Sequence, residues 1–221
     1  YNVFLRRSTM NLYLVRHGET EWNKMKKFQG QLNSDLTEIG IEQAKALGKY
    51  LEKEKINFDI IYSSPLERAY DTAKLIKNDF EIITDERLME MAFGKWEGMD
   101  VDLIKEKSYE NFDNFFHNSD KYNHVPHEAE SFESLEKRVK DFLDDIKNKH
   151  KDKNVLVVSH GVTLKIFVKI IKNQDLKEFA KSGGIFNTSL SLVSYNNGWD
   201  IKYLSKLDHL GENLITEWLK K

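Results

Sequence analysis

The feature that most constrains this chain is one piece of grammar used twice. Leu12-Tyr13-Leu14-Val15 is an apolar run of strand type that stops at Arg16-His17-Gly18, and Val155-Leu156-Val157-Val158 is another that stops at Ser159-His160-Gly161. Unbroken apolar runs of this length fit parallel strands buried on both faces. Open α/β sheets hold their ligands at the carboxyl ends of such strands, so both histidines are expected at one rim of one sheet. Glycine after each histidine removes a side chain where something must come close and lets the backbone turn away. Taken singly, either motif is also what a strand running into a polar loop looks like.

The rest of the chain supplies the other parts of an α/β fold. Residues 24–35 read as a loop with turn formers Gln29-Gly30 and Asn33-Ser34-Asp35, and Thr37 offers the N-cap of an amphipathic helix carrying Ile41, Ala44, Leu47 and Leu51 down to Lys55. A second strand spans 58–62. Ser64 as cap and Pro65 in the first turn then start a helix to about Lys77, with Arg68 near the same rim. A third strand over 81–84 leads into an ordered loop over 85–99. Residues 100–130 read as an insertion capping the crevice, and the aromatics Tyr109, Phe112, Phe115, Phe116 and Tyr122 either line an apolar pocket or form a small core of their own. Ser131 opens a helix with Phe132, Leu135, Val139, Phe142 and Ile146 on one face. After the second His-Gly come a helix over 162–172, a Gly183-Gly184 turn, a hairpin of 188–195 with 199–204, and a terminal amphipathic helix over 212–219.

Strand–helix alternation predicts an α/β fold, a three-layer αβα sandwich with a mostly parallel central sheet. With 221 residues and no Pro- or Gly-rich linker, one domain over 10–221 is expected; residues 1–9 read as an extension in front of Met10, a plausible start. Basic and acidic side chains number 34 and 36, so no nucleic-acid partner is expected. The chain has no cysteine, which excludes thiolate metal sites, disulfides and a cysteine nucleophile. No stretch approaches the roughly 20 apolar residues of a membrane span, and no signal-peptide core is evident, so the expected address is cytoplasmic with no membrane partner. His117, His124 and His127 lack a defined ligand spacing, and no metal is expected there.

Arg16, His17, Arg68 and His160 converging on one rim call for an anion. A phosphoryl group fits best, because arginine forks and imidazole donors match its oxygens. Individually, Arg68 also fits a surface helix arginine and His160 a satisfied core histidine.

Together the motifs resemble the histidine phosphatase superfamily, which also contains the cofactor-dependent phosphoglycerate mutases. The resemblance is carried by Arg16-His17-Gly18-Glu19-Thr20-Glu21-Trp22-Asn23, by Ser63-Ser64-Pro65-Leu66-Glu67-Arg68-Ala69 with Thr72, by Glu90 before Phe93-Gly94-Lys95-Trp96-Glu97-Gly98, and by Ser159-His160-Gly161. It implies a phosphoglycerate mutase-like fold. It further implies that His17 is the nucleophile forming a phosphohistidine, that Arg16, Arg68 and His160 hold the transferring group, and that Glu90 is the general acid. Asn23, Gln29 and Gly30 fall where the family contacts phosphate or substrate. Imidazole attacks phosphorus only from a neutral nitrogen, so the other ring nitrogen of His17 should donate to a backbone carbonyl. Permanently charged arginines serve such a transition state without a metal or other cofactor.

Within the family, mutases carry adjacent arginines beyond the acid and tend to have Asn after the second His-Gly. This chain has no arginine between Arg87 and Arg138, and has Val162 after that motif. The expectation is therefore a metal-independent phosphomonoesterase acting on a small phosphorylated metabolite. A phosphoglycerate mutase is the alternative, and a phosphate-binding regulatory protein without turnover a second one. Monomer and homodimer are both compatible with the sequence.

Overall fold

Met10–Arg16 forms strand β1, and its side chains alternate between two cores: Leu12 and Leu14 enter one, Tyr13 and Val15 the other. A strand buried on both faces sits in the middle of a sheet. The structure, a computed structural model, describes residues 9–216. After β1 come helices α1 (Glu21–Lys24) and α2 (Glu38–Lys53), strand β2 (Ile60–Ser63), helix α3 (Glu67–Ile76) and strand β3 (Ile82–Thr84). The second half holds α4 (Val101–His117), α5 (Phe132–Lys149), β4 (Asn154–Ser159), α6 (Gly161–Lys172), β5 (Leu190–Tyr195) and β6 (Trp199–Lys206).

The six strands form one sheet in the order β3-β2-β4-β1-β5-β6, parallel from β3 to β1, with β5 antiparallel to both of its neighbours. One core packs α2 and α3 on one face through Ala44, Leu47, Leu51, Ala69 and Ala73. The other packs α5 and α6 on the opposite face through Leu135, Val139, Phe142, Leu164 and Phe167. Fully burying one such leucine or phenylalanine stabilises the fold by about 1.5–3 kcal/mol. The expected three-layer arrangement is thus the observed one. Among the described residues, no helix is long and apolar enough to cross a membrane.

Register sets the rim. Arg16 lies opposite Ser159, Val158 opposite Ser63, and Ser63 opposite Thr84, so four parallel strands end at nearly one level. Because β5 runs the other way, its amino end and the preceding Asn187 lie at this rim too. Thr37 and Ser131 cap α2 and α5 as expected.

Some elements differ from expectation. Helix α3 begins at Glu67 rather than beside Pro65, and Ser64 Oγ accepts a hydrogen bond from Leu66 N (3.2 Å), a local turn that competes with the helix start. Strand β2 starts at Ile60, two residues late, and β5 starts at Leu190 because Thr188 has φ +52°. The atom closest to Gly18 is the Gly40 carbonyl oxygen, 2.6 Å from where a Cβ would be, so that glycine admits a helix start rather than a ligand. Instead of a terminal helix from Glu212, a 3-10 turn at Glu212–Leu214 passes into extended backbone at Ile215; residues 217–219 lie outside the described residues.

Candidate active site

His17 sits just past β1, its N–H on the Ser159 carbonyl at 3.0 Å, with 3% of its surface exposed. Its Nδ1 lies 2.7 Å from the Gly18 carbonyl oxygen. A carbonyl only accepts, so Nδ1 carries the proton and Nε2 keeps its lone pair. Burial, then Arg68, then Arg16 hold the imidazole pKa well below its usual value, so the ring is neutral. The next peptide is fixed from α3, where Thr72 Oγ accepts from Gly18 N (3.0 Å) and donates to the Arg68 carbonyl (2.6 Å).

Arg68, in the first turn of α3, is 1% exposed, and its fork donates to the carbonyls of Leu32 (2.8 Å) and Gly30 (2.6 Å). Burial, aided by Arg16 and opposed by Glu90, lowers its pKa to about 10. Arg16 donates to the Ile185 carbonyl at 2.8 Å, and burial lowers its pKa against the pull of Glu90. The Nε of each arginine is buried without a protein partner. Buried N–H groups seldom stay unpaired, and two like charges here need a counter-charge, so an anion with several acceptor oxygens is the natural complement.

Glu90 comes from the loop after β3. Its Oε1 accepts from Met91 N, Thr163 N and Thr163 Oγ, each at 3.0 Å, and its Oε2 accepts from Val162 N at 3.1 Å. The start of α6, which opens at the glycine of the second His-Gly, therefore fixes the carboxyl group. Arg138 of α5 holds the loop from behind, donating to the carbonyls of Arg87, Met89 and Glu90 (2.8, 2.7 and 3.1 Å) while paired with Glu130 (2.8 Å).

His160 is fully buried and packs against His17, with ring centroids 5.2 Å apart. Its Nε2 lies 2.8 Å from Ser64 Oγ, and its Nδ1 has no protein partner. Burial and the nearby arginines push its pKa well down. It does not line the cavity, whereas Arg16, His17, Asn23, Gln29, Gly30, Arg68 and Glu90 do. The fold thus brings every expected site residue together, with His160 packed against His17. Gly30 has φ +54°, and a Cβ there would lie 2.1 Å from Glu97 Oε1; its carbonyl also holds Arg68, so part of its role is to support that arginine. Asn23 Oδ1 accepts from Thr20 N at 3.2 Å, closing a capping box on α1.

Above this floor is a cavity of about 370 Å³ whose far wall includes Phe28, Phe93, Val101, Phe115 and Phe116. Both readings of the insertion's aromatics hold: Phe115 lines the cavity and also packs edge-on against Phe93 (5.4 Å) and Tyr122 (5.1 Å). His127 stacks on Trp96 at 4.0 Å and meets the Tyr122 hydroxyl at 2.7 Å, while His117 pairs with Asp113 at the helix surface.

Residues 12–205 match the sequence model of the histidine phosphatase superfamily (branch 1). The chain belongs to this superfamily. Among proteins it resembles, phosphoserine phosphatase 1 of Hydrogenobacter thermophilus is 37% identical over 208 residues, covering 92% of this chain and 95% of the relative. The metal-independent phosphoserine phosphatase of Arabidopsis thaliana is 36% identical, covering 95% and 87%. The solved structure of Bacillus stearothermophilus YhfR superposes with a TM-score of 0.85 at 32% identity, covering 90% of this chain and 98% of that one. This histidine phosphatase is accordingly a hydrolase of phosphate monoesters.

Several residues of its site were not singled out from sequence. Asn187 donates from Nδ2 to the His17 carbonyl (2.9 Å) and to Asn23 Oδ1 (3.3 Å). Its signal was an amide just before a strand whose amino end meets the rim. Thr163 had the signal of a helix start after His-Gly, and Arg138, on an otherwise ordinary amphipathic helix, had none.

Proposed function

We propose that this histidine phosphatase is a metal-independent phosphoserine phosphatase working on that small metabolite in the cytoplasm. The observation that carries the mechanism is the commitment of His17 Nδ1 to the Gly18 carbonyl, beside Arg68 and Arg16, which keeps Nε2 unprotonated. Nε2 attacks phosphorus; the N–P bond forms as the P–O bond to the serine side chain breaks. Arg16 and Arg68 hold the charge spread over the three phosphoryl oxygens, and His160, whose buried Nδ1 has no protein partner, holds the transferring group with them. Glu90 gives its proton to the departing serine oxygen, which as an alkoxide would be a poor leaving group. Water, losing a proton to Glu90, then breaks the N–P bond, and inorganic phosphate leaves with His17 and Glu90 restored. Relatives named phosphoserine phosphatases, one of them metal-independent, support the substrate and the lack of a metal requirement.

The mutase reading has less support, since no arginine lies between Arg87 and Arg138 to grip a second acidic group on the substrate. Wild type and His17→Ala, both with excess chelator, are assayed for phosphate release from phosphoserine and for mutase activity on 3-phosphoglycerate with its bisphosphate. Release by wild type alone, without a mutase signal, is the expected result. A dominant mutase signal, or loss of activity on chelation, would overturn the proposal.

A further inference from the structure

The cavity carries more positive charge than one phosphoryl group uses. Besides Arg16 and Arg68 its wall includes Lys26, Lys27 and Lys165, against the single carboxylate of Glu90, which four donors already claim. Lys165 differs from the other two lysines in its placement. It stands on α6, three residues beyond Val162, whose N–H holds Glu90 Oε2 at 3.1 Å. Residues three apart on a helix share a face and are separated by about 4.5 Å of axial rise. Val162 lines the cavity as well, so the face that fixes the acid continues to Lys165.

The environment of Lys165 lacks an anion. Its ammonium rests over the Phe179 ring, 4.4 Å from the centroid, and no carboxylate of the described residues pairs with it. Burial lowers its pKa. A partly desolvated ammonium held only by a ring face is under-compensated, and a carboxylate arriving with substrate supplies the missing partner. The flexible four-carbon stem lets the head group leave Phe179 to meet it.

We infer that Lys165 is a specificity-determining residue that binds a carboxylate of the substrate, selecting phosphate monoesters with an acid group a few bonds from the ester oxygen. Glu90 is fixed at the first turn of α6 and Lys165 stands on the second, lining the same cavity, so a substrate whose ester oxygen meets Glu90 has its neighbouring carbons within a helical turn of that ammonium. The inference rests on Glu90 and His17 acting at the phosphate, but not on serine being the alcohol.

The test uses two matched pairs, phosphoserine against phosphoethanolamine and 3-phosphoglycerate against glycerol 3-phosphate, with kcat and KM measured for wild type, Lys165→Met and Lys165→Arg. In wild type the acid member of at least one pair is preferred in kcat/KM by about tenfold or more. Lys165→Met collapses that preference toward unity, mainly by raising KM for the acid, and Lys165→Arg restores most of it. An unchanged preference in Lys165→Met, or equal losses on both members of a pair, would overturn the inference and leave the phosphoserine proposal standing. Wild-type preference confined to the glycerate pair, abolished by Lys165→Met, would sustain the inference and remove serine. No preference for the acid in either pair, or no turnover of any of the four esters, would overturn the inference.

Discussion

The floor and the roof of the cavity are built by different physics. On the floor, Arg16, His17, Arg68 and Glu90 are each tied to backbone groups by hydrogen bonds of 2.6–3.1 Å, and the register of four strands sets their level. The roof is α4 and its neighbours, where the contacts are ring against ring: Phe28 meets Phe93, Phe112, Phe115 and Phe116 at 4.9–6.4 Å. Helix α4 breaks at Ser108 (φ −148°, ψ 45°), and Tyr109 beside the break is 69% exposed. Hydrogen bonds to fixed backbone groups constrain both distance and direction, whereas apolar packing tolerates repacking. Chemistry is therefore expected to depend on the floor, and affinity on the roof.

The largest expected effect that sharpens this contrast is at Glu90. Glu90→Gln keeps the shape and lowers kcat on phosphoserine by about 10²–10⁴-fold, the usual scale for a lost general acid. With p-nitrophenyl phosphate, whose leaving group needs no proton, the loss in the phosphorylation step is far smaller. Equal losses in that step, resolved by pre-steady-state kinetics, would show that the carboxylate serves the floor only as a structural tie.

Arg138 does not line the cavity yet anchors the floor. Arg138→Met strands three carbonyls and Glu130, and is expected to cost about 2–3 kcal/mol in stability, read by urea denaturation, with kcat lowered about tenfold. A fall in stability without a change in kcat would remove Arg138 from the positioning of Glu90.

Away from the chemistry, His209 lies 3.3 Å from Thr188 Oγ, and burial lowers its pKa to about 4 against the opposing pull of Asp208. Between pH 6.5 and 4 the unfolded chain binds a proton there that the folded chain refuses, so stability falls as pH drops through that window and His209 has no such effect above it. The shifts of His17 and His160 act in the same direction. His209→Gln is expected to flatten the pH dependence of stability between 6.5 and 4 by on the order of 2 kcal/mol. An unchanged slope would contradict the burial of that ring.

The smallest effect belongs to the roof. Phe116, 42% exposed, tolerates replacement by Ser with a loss of about 1 kcal/mol or less and a change of a few-fold in KM, while kcat holds. A large fall in kcat would break the division between floor and roof.

The same division explains what was legible in the sequence. The floor is written in local signals: two apolar strands ending in His-Gly, an arginine shortly after Ser-Ser-Pro, a carboxylate in a short loop. These are short-range patterns whose convergence follows from the strand order alone. Helix α4 carries a repeating ring pattern too, but which rings face the cavity depends on partners such as Phe28 and Phe93, distant in sequence. Asn187 and Arg138 escaped for a related reason, since the groups they hold at the site include the backbone carbonyls of His17, Arg87, Met89 and Glu90, which any residue offers. Helix α3 starts late because Ser64 uses its hydroxyl on Leu66 N and on His160 instead of capping the helix, a tertiary use of a local signal.

The proposed chemistry turns on His17 Nε2 carrying the phosphoryl group. Rapid acid-free quenching of wild type and Glu90→Gln mixed with ³²P-labelled phosphoserine tests it directly. A transient label is expected on the peptide containing His17, labile in acid and stable in alkali, longer-lived in Glu90→Gln and absent from His17→Ala. Turnover with no protein-bound label at any time, or a label that persists in His17→Ala, would contradict it.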